Sequence, residues 1–242
     1  MRIKIINPNT TAAMTAEINE SAVKAAGPGT EIVTVNPPRG PESIEGYYDE
    51  HVAAFHVFEE VLRERDRFDA YVIACFGDPG LEGVREITAV PAVGICQAAL
   101  HLASTLAPRF SILTVLPRVI ADLRQKVEKY GFTRYLASLR STHLPVVEFS
   151  ANREAGEKAL IEAGRKAIQE DDAEALVLGC AGMAGLDARM ERELGLPVID
   201  GVAAAVKIAE SLVSLGKRTS KRSSYKPPEK KKFTGMAEIW QP

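Results

Sequence analysis

Apolar positions along the chain form short runs that alternate with longer stretches of amphipathic spacing. The runs at 2–6, 31–35 and 70–74 predict strands, because they are short and rich in aliphatic residues. Residues 12–25 and 50–66 repeat apolar positions at helical spacing and predict helices. The run at 70–74 has no polar position, which is typical of a strand buried on both faces of a parallel sheet. The alternation of strands and helices predicts βαβ units and an α/β fold.

The second half of the chain repeats the first. Residues 69–77 (DAYVIACFG) align with residues 174–182 (EALVLGCAG), an offset of 105. In both halves an amphipathic stretch follows, and then a second apolar run that is entered through a proline, Pro91 or Pro197. Matching features in the same order predict internal pseudo-symmetry rather than a chance likeness of two βα units.

The repeat predicts two pseudo-symmetric lobes, each a mainly parallel sheet flanked by helices, with the active site in the interlobe cleft. We place residues 1–97 and 204–242, with a C-terminal arm, in the first lobe. We place residues 98–203 in the second lobe.

Cys75 and Cys180 occupy the same position in the two repeats, at the carboxyl end of an apolar run. Ligands of α/β sheets bind beyond the carboxyl ends of the strands, so both thiols are expected to face the cleft from opposite walls. A helix is expected to start directly after each cysteine, with Asp78 as N-cap in the first half. The positive end of a helix dipole lowers a thiol pKa from about 8.5, which would supply thiolate.

Two opposed thiols suggest proton transfer. One thiolate can remove a proton from a carbon next to a carbonyl, and the other thiol can return a proton to the opposite face. Most free cysteines are small buried hydrophobes, but the equivalent positions favour a function for Cys75 and Cys180. Cys96 has no partner in the repeat and is expected to pack in the core.

Other polar positions fall on the same predicted edge. Asn9 lies in the Asn-Pro turn after the first strand, and Thr114 is its rough counterpart in the second half. The turn-rich loop 41–46, which contains Ser43 and Ile44, is either a plain connector or a cover for the substrate. Neutral donors of this kind can hold a carbonyl oxygen that gains charge as a proton leaves.

Composition narrows the function classes. The chain has 242 residues, 46% of them apolar and 26% charged, and a formal net charge of -2, which is an ordinary globular composition. This balance argues against a nucleic-acid partner. We expect no membrane span and, since the first strand reaches Asn7-Pro8 so early, no signal peptide. A cytoplasmic location follows, in which three cysteines are expected to stay unpaired.

No cofactor is expected. The four histidines form no ligand set, and neither CxxC nor HExxH occurs, so no metal is indicated. The glycine-rich signatures of nucleotide binding are likewise missing from the sequence.

The C-terminal tail differs from the body in charge. Residues 217–242 carry eight basic and two acidic side chains, a net charge of +6. The Pro227-Pro228 pair and three serines favour an extended arm rather than a packed element.

These motifs resemble those of the hydantoin racemases in the Asp/Glu racemase superfamily, which also contains the allantoin racemases. The matching segments are INPNTT (6–11), SIEGYYDE (43–50), AYVIACFGDPGL (70–81), VGICQAA (93–99), LVLGCAGM (176–183) and PVIDGVAAAVK (197–207). The tail adds little to the likeness.

The resemblance implies racemisation at C5 of 5-substituted hydantoins, without cofactor or metal, by a two-base mechanism. In this analogy Cys75 takes the proton from the D-form and Cys180 from the L-form. The implied substrate contacts are the positions matching Asn9, Ser43, Ile44, Phe76, Gly77, Thr114, Ala181 and Gly182. A homo-oligomer is implied as well.

Several alternatives remain open at this stage. The substrate is either an amino-acid-derived hydantoin or allantoin. An amino-acid racemase is a second possibility, although no arginine or lysine in the cysteine motifs offers a partner for a dicarboxylate substrate. The presence of two cysteines speaks against one-cysteine decarboxylases and isomerases of the superfamily. Two further hypotheses remain. The protein could bind a small molecule without catalysis, or it could be a redox sensor with a reversible Cys75–Cys180 disulfide.

Overall fold

The computed structural model of the chain describes residues 1–65, 67–236 and 240, and for Ser150 the backbone only. The first half alternates strands and helices as β1 (Arg2–Ile6), α1 (Ala12–Ala25), β2 (Glu31–Val35), α2 (Tyr47–Leu62), β3 (Ala70–Ile73), α3 (Leu81–Ile87), β4 (Ala92–Gly94) and α4 (Ile95–Leu106). The second half follows as β5 (Phe110–Thr114), α5 (Ile120–Lys129), β6 (Leu136–Ser141), α6 (Val146–Ala151), α7 (Arg153–Asp171), β7 (Ala175–Leu178), α8 (Asp187–Leu194), β8 (Val198–Asp200) and α9 (Gly201–Ser214). Short 3₁₀ turns lie at Pro117–Val119, Thr133–Tyr135, Ala181–Met183 and Ser223–Tyr225.

The strands form two parallel sheets of the same topology. One sheet has the order β2-β1-β3-β4, and the other has the order β6-β5-β7-β8. Each strand of the second sheet therefore has a counterpart in the first, as the repeat predicts. The prediction of two α/β lobes with parallel sheets and flanking helices is confirmed, whereas the lobe boundaries at residues 97 and 203 stay a prediction.

Burial explains the apolar runs. Every residue of β3, β5 and β7 is buried, because helices cover both faces of each sheet. The alanine-rich helices α4 and α9 pack closely against one another. Their buried residues form one continuous apolar core with residues of both sheets. A second cluster fills the space between the first sheet and the helices α2 and α3.

Most predicted elements agree with the structure, and α2 shows the largest shift. It begins at Tyr47 and ends at Leu62, where the predicted helix runs from 50 to 66. The early start follows from the two carboxylates, Asp49 and Glu50, that fall in its first turn and suit the helix N-terminus. Residue 66 lies outside the described residues.

The C-terminal tail packs more closely than its composition predicts. The backbone N–H of Thr219 donates to the carbonyl of Ala89, and the Lys221 ammonium donates to the carbonyls at the end of α3. Residues 217–222 form no helix or strand, as expected of an extended arm, but the expectation that the tail is not packed is wrong here, because Lys221 satisfies carbonyls that the helix end leaves free. Trp240 stacks on Phe55 of α2 at 4.4 Å between ring centroids. Residues 237–239, 241 and 242 of the predicted arm lie outside the described residues.

Candidate active site

A cavity of about 100 Å³ lies between the carboxyl edges of the two sheets. Its walls come from loops and helices of both halves: Asn9, Met14, Ile44, Gly46, Tyr47, Glu50, Ala74, Cys75, Phe76, Gly77, Thr114, Val115, Arg118, Val119, Asp122, Leu123, Val146, Gly179, Cys180 and Ala181. The cleft that the repeat predicts is therefore present, and it contains both equivalent cysteines.

The two thiols have matching surroundings. Cys75 lies two residues beyond β3 and Cys180 two residues beyond β7, and both side chains are half-buried. The backbone N–H of the glycine two positions further on, Gly77 or Gly182, donates a hydrogen bond to each sulfur. The sulfurs are near enough that a charge on Cys180 raises the pKa of Cys75.

Burial controls the pKa of both thiols. It raises the pKa of Cys180 to about 11, with Glu45 and Glu17 adding to the effect. Burial also raises the pKa of Cys75 far above its ordinary value, and the Glu50 charge acts in the same direction. The glycine N–H groups only partly offset these effects.

The prediction of thiols activated by helix dipoles is wrong. The helix after Cys75 begins only at Leu81, with Gly80 as its N-cap in the left-handed region. Cys180 is followed by a three-residue 3₁₀ turn, which is too short to provide a dipole of useful size. Both thiols are therefore protonated over a wider pH range than the sequence predicts.

Asp78 caps a different helix from the predicted one. Its carboxylate accepts the N–H groups of Cys96 and Gln97 at 3.0 Å each, at the start of α4. It also accepts the hydroxyl of Tyr130, from the second half of the chain, at 2.8 Å. Burial raises the pKa of this carboxyl to about 6, although all three hydrogen bonds act against the rise.

The residues predicted to contact substrate divide into two groups. Those that line the cavity are Asn9, Ile44, Phe76, Gly77, Thr114 and Ala181. The remaining two, Ser43 and Gly182, are both in the described part of the chain and do not line it. Gly182 instead supplies the N–H that reaches Cys180. Cys96 is fully buried in the core, so the prediction for this residue is confirmed.

The predicted Asn-Pro loop forms a hydrogen-bonded network behind the cavity wall. The Asn9 side chain accepts the Asn7 amide and the Thr11 N–H, each at 2.9 Å, and donates to the Met14 sulfur. Thr11 precedes α1, but its hydroxyl donates to the Glu42 carbonyl at 2.7 Å rather than capping the helix. The network fixes Asn9 and ties the loop 41–46 to β1.

Sequence reasoning missed a charged part of the cavity. Glu50, Arg118 and Asp122 line it, and Lys126 forms an ion pair with Glu50 at 2.5 Å. Burial raises the pKa of Glu50, while Lys126 opposes the rise. Arg118 and its neighbours lie in α5 or just before it, where the motifs gave no signal. Only the docking of the two halves brings this helix to Cys75.

Comparison with known proteins assigns the family. The family model described as Asp/Glu/hydantoin racemase matches residues 3–209. The chain belongs to this family. It is 51% identical to a hydantoin racemase from Pseudomonas sp. over 239 residues, which cover 98% of this chain and 96% of the relative.

Two solved structures of the family have nearly the same fold. The chain superposes on an allantoin racemase from Klebsiella pneumoniae with a TM-score of 0.95, at 47% identity over 97% of this chain and 96% of that one. An allantoin racemase from Pseudomonas fluorescens gives 0.94, at 42% identity over 97% and 100% of the two chains. The chain is accordingly an isomerase of the racemase type.

The described residues contain no cluster of three or more side chains suited to bind a metal ion. Among their helices, none combines the length and the apolar character that a bilayer crossing requires.

Proposed function

We propose that this racemase inverts C5 of 5-substituted hydantoins, allantoin included, with Cys75 and Cys180 as the two bases and without a cofactor. The observation that carries the proposal is the pair of thiols at equivalent positions of the two halves, both lining one cavity. The names of the relatives, hydantoin racemase and allantoin racemase, support the substrate class.

In this mechanism the ring lies between the two sulfurs. The Cys75 thiolate takes the C5 proton of the D-enantiomer and becomes a thiol, while the electron pair moves into the neighbouring carbonyl as an enolate. The Cys180 thiol then donates its proton to the opposite face of C5 and becomes a thiolate. The L-enantiomer reacts in the reverse direction, so atoms and charge balance in both directions.

The raised thiol pKa values suit this chemistry. A C5–H bond is a weak acid, and a base of higher pKa comes closer to it in proton affinity. A thiol with a pKa of about 11, as for Cys180, is a stronger base once ionised than an ordinary thiol. The cost is a smaller thiolate fraction at neutral pH.

The ring itself is neutral and needs donors and acceptors rather than ions. We propose that it is held by Asn9, Ser43, Ile44, Phe76, Gly77, Thr114, Ala181 and Gly182. Six of these line the cavity, which supports the proposal for them, and Gly182 donates its N–H to the Cys180 sulfur.

An amino-acid racemase is the second candidate, and one observation favours it. Arg118 brings a positive charge to the cavity that the motifs lacked. Glu50 and Asp122 line the same cavity, however, and would repel the two carboxylates of aspartate or glutamate. The charge balance therefore favours the neutral hydantoin ring. A homo-oligomer and a cytoplasmic location also remain proposals.

Cysteine substitutions test this function. Single enantiomers of allantoin, benzylhydantoin, methylthioethylhydantoin, aspartate and glutamate are incubated with the enzyme, and optical rotation is followed. We expect the hydantoins to racemise, and Cys75→Ser and Cys180→Ser each to abolish the reaction, because each removes one of the two bases. Cys96→Ala is the control, since this cysteine lies in the core. Full activity in either serine variant, or racemisation of the amino acids alone, would contradict the proposal.

A further inference from the structure

Two similar sets of contacts connect the two halves of the chain. They lie beside the turns that follow Cys75 and Cys180, here named the cysteine turns. The first set, here named the α5 clamp, consists of Lys126 and Tyr130 with Glu50 and Asp78. The second set, the α1 clamp, consists of Glu17 and Ser21 with Arg153 and Asp200. The helices α5 and α1 are counterparts, because each follows the first strand of its half. The helix α1 contains Glu17 and, four positions later, Ser21; α5 contains Lys126, and Tyr130 follows directly after its last residue.

The hydroxyl of each clamp binds a buried aspartate of the other half. Tyr130 donates to Asp78 at 2.8 Å, and Ser21 donates to Asp200 at 2.6 Å. Both aspartates are at most 5% exposed, and both cap counterpart helices. Asp78 accepts two N–H groups at the start of α4, and Asp200 accepts that of Val202 at the start of α9.

The charged residue of the α5 clamp acts beside the Cys75 turn. Lys126 pairs with Glu50 at 2.5 Å. The Glu50 carboxylate lies so close to Gly77 that an added Cβ there would meet it at 3.0 Å. Gly77 is the residue whose N–H donates to the Cys75 sulfur, so the ion pair supports the group that holds this thiol.

The α1 clamp contacts the Cys180 turn, and its charges are the reverse of those in the α5 clamp: α1 supplies the acidic residue and the other half supplies the basic one. Glu17 pairs with Arg153 at 3.1 Å. The Arg153 guanidinium donates to the carbonyls of Gly182 at 3.4 Å and Ala184 at 3.0 Å. Gly182 is the residue whose N–H donates to the Cys180 sulfur.

The two clamps reach this arrangement from different sequence positions. Asp200 corresponds in the repeat to Gly94, which carries no side chain. An added Cβ at Gly94 would lie 2.2 Å from the Asp78 carboxyl carbon, so Asp78 fills the space that the missing side chain leaves. A buried carboxylate is thus placed at the same helix start in both halves, although the residues that provide it do not align.

We infer that the α5 clamp positions the Cys75 thiol, that the α1 clamp positions the Cys180 thiol, and that the two act independently. The inference rests on the proposed function in taking these thiols as the two bases. Lys126, Tyr130, Glu17, Ser21 and Arg153 act through the cysteine turns and are positioning residues.

Tyr130→Phe and Ser21→Ala are the matched test, because each removes one hydroxyl. The rate of alkylation by iodoacetamide is measured against pH for each cysteine separately, by mass spectrometry of the two cysteine peptides. Release of a turn reduces the burial of its thiol, so Tyr130→Phe is expected to speed alkylation of Cys75 about three- to tenfold, equivalent to about half to one pKa unit. Cys180 keeps its wild-type rate in that variant, and Ser21→Ala gives the opposite pattern.

Controls separate positioning from a general loss of structure. Tyr135→Phe changes a tyrosine of the same half that belongs to neither clamp, and it leaves both rates unchanged. Lys126→Gln leaves the Glu50 carboxylate unpaired, and that charge raises the pKa of Cys75, so alkylation of Cys75 slows while Cys180 keeps its wild-type rate. Lys126→Arg keeps the charge and the wild-type rate at Cys75. If Tyr130→Phe or Ser21→Ala fails to fold, the comparison of Lys126→Gln with Lys126→Arg tests whether the α5 clamp positions Cys75.

Equal changes at both cysteines in either variant, or no change at either, would overturn the inference. Alkylation needs no turnover. An enzyme that fails to racemise hydantoins would therefore contradict the proposed function while leaving this test valid.

Discussion

Asp78 places a carboxylate in the protein interior, where two backbone N–H groups and the Tyr130 hydroxyl donate to it. Its pKa is nevertheless raised to about 6, because burial outweighs these three hydrogen bonds. The folded state therefore binds a proton at Asp78 more tightly than the unfolded chain does. The associated stabilisation is complete below the unfolded pKa of 3.8 and is lost as the pH rises through about 6.

Asp78→Asn is predicted to remove this pH dependence. Relative to the variant, the wild type should lose up to about 3 kcal/mol of unfolding free energy between about pH 4 and pH 7, since the shift is roughly two units. Urea unfolding of both proteins across this range measures the difference. Glu174→Gln, at an exposed carboxylate, is the control. A difference that stays constant with pH would contradict the assignment.

The cysteines show what sequence can predict about single residues. Cys75 and Cys180 could be singled out because the repeat aligns them, and Cys96 could be assigned to the core because it has no partner. The thiol pKa values could not be predicted, since they depend on desolvation by residues distant in sequence. The motif alone suggested a lowered pKa, which is the wrong sign.

At the scale of elements, the start of α4 depends on a neighbouring loop. Gly94 ends β4 and leaves room for the Asp78 carboxylate, which caps the helix in place of a residue from the helix itself. The sequence predicted Asp78 as the cap of the helix that follows it, because local spacing is the only guide available. The strand and helix ranges 31–35 and 12–25, which local periodicity determines, were predicted correctly.

Gly94→Ala is predicted to expel Asp78 from this position. Loss of the cap and of its buried hydrogen bonds should lower the unfolding free energy by about 1–3 kcal/mol. Displacement of the adjoining Cys75 turn should lower kcat/KM at least about tenfold, because proton transfer depends on close alignment. Thermal unfolding and racemisation rates measure the two effects.

Gly27→Ala is the matched control, since the atoms nearest to its added Cβ belong to the end of the flexible Glu210 side chain, the first at 3.2 Å. If Gly94→Ala keeps the wild-type stability and turnover, the claim that the Asp78 carboxylate occupies the space beside Gly94 is contradicted.

At the scale of the whole molecule, the cavity is formed by the meeting of two similar halves. The repeat predicted the two sheets and the opposed cysteines, and the sheets have identical topology. It did not predict that α5 brings Asp122 and Lys126 to the Cys75 side, or that the 3₁₀ turn before α5 brings Arg118 there. The packing of one half on the other leaves no periodic signal in the sequence. The α5 and α1 clamps could not be predicted for the same reason, since they are contacts between the two halves.

Transfer of solvent hydrogen tests the two-base account most directly. The enzyme acts on one hydantoin enantiomer in deuterated water, and at early conversion the two enantiomers are separated and their deuterium at C5 is measured by mass spectrometry. An incubation without enzyme corrects for spontaneous exchange. With one thiol removing the proton and the opposite thiol delivering a solvent-derived deuteron, the product enantiomer carries deuterium and the remaining substrate carries none. Equal deuterium in both enantiomers would mean that a single base serves both faces, and would contradict the account.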